Sequence, residues 1–141
     1  MPARTAEATW SGSLQEGNGS IKLGSGAYDG PFSFSSRFES GTGTNPEEMI
    51  GGALAGCFTM QLSANLSRAG FTVNRVHTTA TVHLEKGESG FSISRIDLVN
   101  ESSVQGVDEA AFKENVEKAK GCIISRALAG VNEIRVDAKL V

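Results

Sequence analysis

Hydrophobic positions are densest between Met49 and Leu66. Met49, Ile50, Ala53, Leu54, Ala55, Cys57, Phe58, Met60, Leu62, Ala64 and Leu66 point in nearly every direction about a helical axis. No charged residue stands between Glu48 and Arg68. A helix that is apolar all round is a buried one. Its start is well marked. Asn45 suits the N-cap, where its side-chain oxygen can accept from a free amide of the first turn. Pro46 falls at the first helical position, where its missing N–H costs nothing. Glu48 completes a capping-box spacing, and Glu47 and Glu48 both suit the positive end of the helix dipole. Gly70 follows Arg68 and Ala69 as a stop. The pattern thus predicts one long helix from Pro46 to about Ser67. Gly51, Gly52 and Gly56 each cost it roughly 1 kcal/mol against Ala. They make sense where another helix or chain crosses closely. These glycines, with Gln61 and Ser63, leave the run too polar for a membrane span.

The remaining pattern is shorter in period. Ala6 to Ser13 reads as a strand, and Gly17-Asn18-Gly19 as a turn. Ser20 to Leu23 then pairs back as a hairpin arm. Pro31 to Phe38 alternates Phe32, Phe34 and Phe38 with small polar residues, which predicts a third strand. Glu39 to Gly43 is a glycine-rich loop leading into the long helix. Beyond it, Val76, Thr78, Ala80, Val82 and Leu84 alternate with polar residues as a half-buried strand. Lys86 to Gly90 reads as a turn. Phe91 and Ile93 face one way and Ile96 and Leu98 the other, which suggests a bulge or a strand covered on both faces. The two runs form an antiparallel hairpin. Asp108 can cap a second helix with Phe112, Val116 and Ala119 on one face. Cys122 opens a short helix-like run from Ile123 to Ala129. Ile134, Val136, Ala138 and Leu140 form a last strand. Three strands, a long helix, two strands, a helix pair and a strand predict an α+β fold, with helices packed on mainly antiparallel sheet.

Composition narrows the function classes. The 141 residues suggest a single domain spanning 1–141. The formal net charge of −3, with both signs interspersed, speaks against a nucleic-acid partner. A hydrophobic content of 39% and a charged content of 21% fit a globular chain. The first thirteen residues lack the apolar centre of a secretory signal, so the expected compartment is the cytoplasm, with no membrane partner. The glycosylation sequons at Asn18, Asn65 and Asn100 are then chance. No Gly-x-Ser-x-Gly, Walker or dinucleotide fingerprint is present. His77 and His83 share a strand face with Thr79 and Thr81 that looks solvated, so neither a metal nor a cofactor is expected.

Two cysteines remain, Cys57 and Cys122. They lack C-x-x-C spacing, and in a reducing compartment a structural disulfide is not the default. Taken alone, Cys57 reads as a small core residue of the long helix. Arg37 alone reads as a strand-end charge, and Glu47 as a carboxylate serving the helix dipole.

The motifs change those readings. Ser36-Arg37-Phe38-Glu39-x-Gly41-x-Gly43-Thr44-Asn45-Pro46-Glu47-Glu48, then Gly56-Cys57-Phe58, then Lys118-Ala119-Lys120-Gly121-Cys122, resemble the OsmC/Ohr family. That family is named for osmotically inducible protein C and organic hydroperoxide resistance protein. An arginine before the glycine loop is similar to the OsmC branch. The likeness of motif order runs from Trp10 to the terminal strand. The resemblance implies an OsmC-like α+β fold with a long central helix, in an intertwined homodimer with active sites at the subunit interface. It implies a thiol-dependent peroxidase acting in oxidative or osmotic stress defence. Organic hydroperoxides, and hydrogen peroxide besides, are the substrates it implies. On the family's pattern Cys57 is the peroxidatic cysteine and Cys122 the resolving one. Arg37 holds the thiolate and Glu47 is its carboxylate partner. The implied reductant is an external dithiol, with lipoyl groups on carrier proteins used in the family. One departure is Ile123, where the family often has proline. The competing functions are a peroxide-sensing or dithiol-exchange module without fast turnover, and a binding domain with two inert thiols.

Elementary chemistry fits that assignment. A peroxidatic thiol must be a thiolate, whereas a free cysteine has a pKa near 8.5. Cys57 sits about three turns into its helix, beyond the reach of the N-terminal dipole. A cation must therefore be delivered from elsewhere. Arg37 cannot lose its charge, while Arg68 is roughly three turns away. Glu47 and Cys57 are about 15 Å apart along the helix at 1.5 Å per residue. The carboxylate must then come from a second copy, or reach Arg37 at its far side. Peroxide would leave a sulfenic acid on Cys57, which Cys122 condenses with. Cys122 at a helix start is expected to have a lowered pKa. Apolar neighbours such as Met49 and Phe58 favour an organic hydroperoxide.

Overall fold

The computed structural model describes residues 2–141. The chain divides into two compact units, one running to Met49 and the other from Ile50 to Val141.

The first unit is a three-stranded antiparallel sheet in the order β1-β2-β3, followed by a short helix. β1 (Ala6–Ser11) and β2 (Asn18–Leu23) pair from Ala6↔Leu23 to Ser11↔Asn18, and β2 pairs with β3 (Asp29–Phe32). Trp10 fixes the hairpin. Its indole N–H donates to the carbonyls of Gly12 and Ser13, each at 3.2 Å, and its ring meets Phe32 at 5.2 Å between centroids.

The predicted strand over Pro31–Phe38 is corrected here. It stops at Phe32, and Phe34–Phe38 is a helix, α1. The reason is local. Ser33 and Ser36 form a reciprocal capping box, with Ser36 N–H donating to Ser33 Oγ at 3.0 Å and Ser33 N–H to Ser36 Oγ at 2.8 Å. Phe34 and Phe38 then stack one turn apart at 5.1 Å, an i,i+4 pair rather than alternate members of a strand. Gly43 has φ +108°, and a Cβ there would lie 2.7 Å from the Pro31 carbonyl oxygen. Only glycine passes that point, after which Thr44 N–H donates back to Pro31 O at 3.1 Å.

The long helix, α2 (Pro46–Arg68), begins as the sequence predicts. Glu48 N–H donates to Asn45 Oδ1 at 2.7 Å. The Glu48 carboxylate does not close a capping box; it accepts instead from the Thr44 hydroxyl at 2.7 Å. At the other end Gly70 takes φ +94° and Phe71 N–H donates to Leu66 O at 3.1 Å, a Schellman-type stop.

In the second unit, β4 (Thr72–Gly87) and β5 (Gly90–Gln105) form a long antiparallel hairpin closed by Glu88 and Ser89. The predicted turn is thus shorter and both strands longer. The phase change between Ile93 and Ile96 is a bulge, because the register slips opposite His83/Leu84 and leaves Ser94 unpaired. After α3 (Glu109–Ala119) and α4 (Ile123–Ala127) the chain returns as β6 (Glu133–Leu140), parallel to β5. Asp108 caps α3 as predicted, accepting from Ala111 N–H at 2.7 Å. Among the described residues the other strand pairings are antiparallel, so the mainly antiparallel reading holds.

The core of this unit is one stripe of α2 against the sheet and α3. Leu54, Phe58, Leu62 and Leu66 are sealed with Ile96, Leu98, Phe112, Val116 and Ala119. Gly51 lets the helix approach β4, since its Cβ would stand 3.3 Å from Val82. The helix is not buried all round in the single chain. Gly52, Ala53, Gly56 and Met60 are exposed on the opposite side. That side is apolar and small, which is why the sequence pattern looks unbroken.

Candidate active site

The two thiols lie together in the second unit, and both are free. Cys57 projects from α2, half-buried, while Cys122 is the N-cap of α4 and only 2% exposed. A short helix leaves its first amides without intrahelical partners. Here the Ile124 N–H donates to Cys57 Sγ at 3.4 Å. The amides of Ser125 and Ile124 also serve Cys122.

The expected lowering of the Cys122 pKa is corrected. Burial pushes this thiol up, and the adjoining Cys57 sulfur adds to the rise. The amides oppose that rise without overcoming it. The helix start is real, but the surrounding apolar core outweighs its few donors. A cavity of about 70 Å³ borders Cys122, with Leu54, Phe58 and Leu98 on its apolar side and Lys120 and Ser125 on its polar side.

The other two predicted residues meet in the first unit. Arg37 leaves the last turn of α1 and Glu47 the first turn of α2. Arg37 Nε lies 3.1 and 3.2 Å from the two Glu47 oxygens, and Nη2 donates to Oε1 at 2.8 Å. The fork is bidentate and fixes the guanidinium plane. The Arg37 guanidinium also covers the Phe38 ring at 5.2 Å. The Glu47 side chain is 12% exposed and that of Arg37 38%, so the carboxylate is the buried anchor and the cation the accessible end.

Residues around this pair were only half legible. Asn45 caps the helix as its position predicts, and its amide also donates to Ser36 O at 2.9 Å. Ser36, 6% exposed, donates to Thr44 O at 2.8 Å. The Ser33-x-x-Ser36 spacing was the available signal. The Ile124 amide had none, since a backbone donor carries no residue type.

His83 is engaged on the sheet surface by Asp97 at 2.7 Å, beside Arg95. That contact with His83 is the first cause holding the Asp97 carboxyl below its ordinary value. Among the described residues no group of three or more His, Cys, Asp and Glu is placed to hold a metal ion. No described helix is long and apolar enough to cross a membrane.

A free thiol pair at the junction of a long and a short helix, on an α+β scaffold, defines a two-cysteine redox protein. The chain belongs to the OsmC-like protein family, whose model matches residues 39–137. It is 42% identical over 139 residues to peroxiredoxin OsmC of Escherichia coli, covering 97% of this chain and 96% of that relative. The crystal structure of the organic hydroperoxide resistance protein OhrB of Bacillus subtilis is similar at a TM-score of 0.67. Identity to it is 26%, over 97% of this chain and 98% of that one. An OsmC-like protein of Mycoplasma pneumoniae, at 18% identity, shares the fold with a TM-score of 0.77 over 99% and 98% of the two chains.

Proposed function

We propose that Cys57 and Cys122 are the peroxidatic and resolving thiols of an organic hydroperoxide reductase, in which Arg37 supplies the activating cation and Glu47 orients it. The chain is a cysteine-based peroxidase, as the name of its 42%-identical E. coli relative supports. The observation that carries the residue assignment is the pairing of a part-exposed Cys57, bonded by the Ile124 amide, with a buried Cys122.

The Cys57 thiolate attacks the terminal oxygen of ROOH and the O–O bond breaks. The alkoxide takes a proton and leaves as ROH, and Cys57 is oxidised to the sulfenic acid. The Cys122 sulfur then attacks Cys57, giving up its proton and displacing hydroxide, so that water and a disulfide form. An external dithiol, of the lipoyl kind on a carrier protein, restores both thiols by exchange and is itself oxidised to a disulfide.

Support for an organic substrate comes from the first unit rather than from Phe58, which is 1% exposed and belongs to the core. Trp10, Phe32, Phe34 and Phe38 wall a cavity of about 410 Å³ that includes Arg37. Aromatic walls beside one guanidinium suit an apolar group carrying a polar peroxide.

The working unit is a homodimer, with each chain acting as one OsmC-like domain in the cytoplasm, where thiols are kept reduced. Met60 is 76% exposed, and a Cβ added at Gly52 or Gly56 would meet nothing within 4 Å. A second copy would cover this side, and a monomer by light scattering at micromolar concentration would contradict it. Mixing Glu47→Ala with Cys57→Ser chains tests a site shared between copies. Mixed dimers regain part of the activity if the partner supplies the carboxylate.

Turnover with cumene hydroperoxide and a dithiol reductant tests the activity. Sustained peroxide consumption is expected. One stoichiometric oxidation without turnover would instead indicate a sensing or dithiol-exchange module.

A further inference from the structure

We infer that Asn45 is a positioning residue for the Arg37–Glu47 pair, a clasp whose single side-chain amide sets the guanidinium relative to the carboxylate. The inference rests on the reading that this pair activates the peroxidatic thiol.

The fork sets the guanidinium plane against the carboxylate but does not by itself set where the pair stands. Arg37 leaves α1 and Glu47 leaves α2, and a long arginine side chain carries several rotatable bonds. The backbones that carry the two residues must be fixed as well.

Asn45 bonds both. Its Oδ1 accepts from Glu48 N–H at 2.7 Å, and its Nδ2 donates to Ser36 O at 2.9 Å. Ser36 immediately precedes Arg37 and Glu48 immediately follows Glu47. The clasp therefore closes one residue outside the ion pair on each side. An amide has one acceptor and one donor end, and only one orientation satisfies both bonds. The Ser36 carbonyl belongs to the last turn of a five-residue helix, where carbonyls lack intrahelical partners. The same Ser36 is held from its side chain by Thr44 O and Ser33 N–H. Besides the Arg37–Glu47 pair itself, Asn45 is the side chain among these contacts that ties α1 to the first turn of α2.

Other cap residues would preserve the helix without preserving the clasp. Asp and Ser both cap well. An ionised Asp has no proton to donate to Ser36 O, and the single oxygen of a shorter Ser side chain does not span the two partners that the amide reaches with separate oxygen and nitrogen atoms. The capping role and the positioning role are therefore separable.

The experiment measures the second-order rate of Cys57 oxidation by cumene hydroperoxide in Asn45→Asp, Asn45→Ser, Arg37→Ala and the Asn45→Ser/Arg37→Ala double variant, with melting temperatures alongside. Both single Asn45 variants are expected to keep near wild-type melting temperatures and to slow oxidation roughly ten- to a hundredfold, as misplacement of a catalytic group does. The double variant should be no slower than Arg37→Ala alone, because the clasp acts only through the arginine. Wild-type rates in both Asn45 variants beside a slow Arg37→Ala would overturn the clasp and leave the activation reading standing. So would an Asn45→Ser effect that persists in full in the Arg37→Ala background. A fast Arg37→Ala would overturn the activation reading itself, and the clasp with it.

Discussion

The two units solve opposite problems. The second surrounds its thiols with apolar core, and Cys122 is so far from water that its thiol is pushed up. The first ties the backbone beside its ion pair with hydrogen bonds among Ser36, Thr44 and Asn45 and leaves the arginine 38% exposed. Burial holds the Cys122 sulfur in one geometry but disfavours its charged form. Hydrogen bonding holds a charge ready without removing it from solvent. A thiol peroxidase needs both, and no single environment supplies both.

The largest expected break in this division is at Arg37. Arg37→Ala should slow peroxide attack roughly 10²–10³-fold, the range for removing a preorganised charge-stabilising donor. Its stability cost should be about 1 kcal/mol or less, because the pair is partly exposed. Arg37→Lys should recover only part of the rate, since an ammonium cannot form the planar fork to Glu47. Stopped-flow oxidation and thermal melts read the two effects separately.

Leu62→Ala should do the reverse. This side chain is fully buried in the second unit's core. Truncation should cost about 2–5 kcal/mol in a denaturant titration. The rate of peroxide attack per folded molecule should change far less than in Arg37→Ala.

Raising the pH should sharpen the contrast within the second unit. Cys122 is held protonated above the ordinary thiol value. Disulfide formation from the Cys57 sulfenic acid should therefore continue to accelerate beyond the pH at which an ordinary thiol has ionised. A thiol raised in the folded state favours folding fully below its unfolded value, and that contribution is lost as pH rises through the folded one. Rapid-quench alkylation across an alkaline series measures the resolving step. In Cys122→Ser the sulfenic acid should persist and pass on to sulfinic acid.

The smallest effect is at Glu47. Glu47→Ala should slow attack in the same direction as Arg37→Ala but more weakly, because it works through the arginine. Loss of a first-turn carboxylate should cost roughly 0.3–1 kcal/mol at the helix start.

Much of this contrast was legible in the sequence because it depends on local rules. The cap at Asn45, the stop at Gly70, the bulge after Ile93 and the cap at Asp108 each follow from a few adjacent residues. The helix Phe34–Phe38 was missed because a two-residue spacing between Phe32 and Phe34 outweighed the four-residue spacing between Phe34 and Phe38. The Ser33–Ser36 box decides between them. The parallel return of β6 depends on tertiary placement and leaves no pattern in the strand. The raised Cys122 pKa has a related origin: its helix start is visible in sequence, while the core pressing on it is not. The Arg37–Glu47 contact was reached only through the family motif, and its bidentate geometry needed the structure.

The most direct measurement is intact-mass and peptide mapping of the reduced protein after one equivalent of cumene hydroperoxide. The account predicts a loss of about two hydrogen masses and a single Cys57–Cys122 linkage within one chain. Recovery of both thiols unmodified, with the peroxide unconsumed, would contradict it.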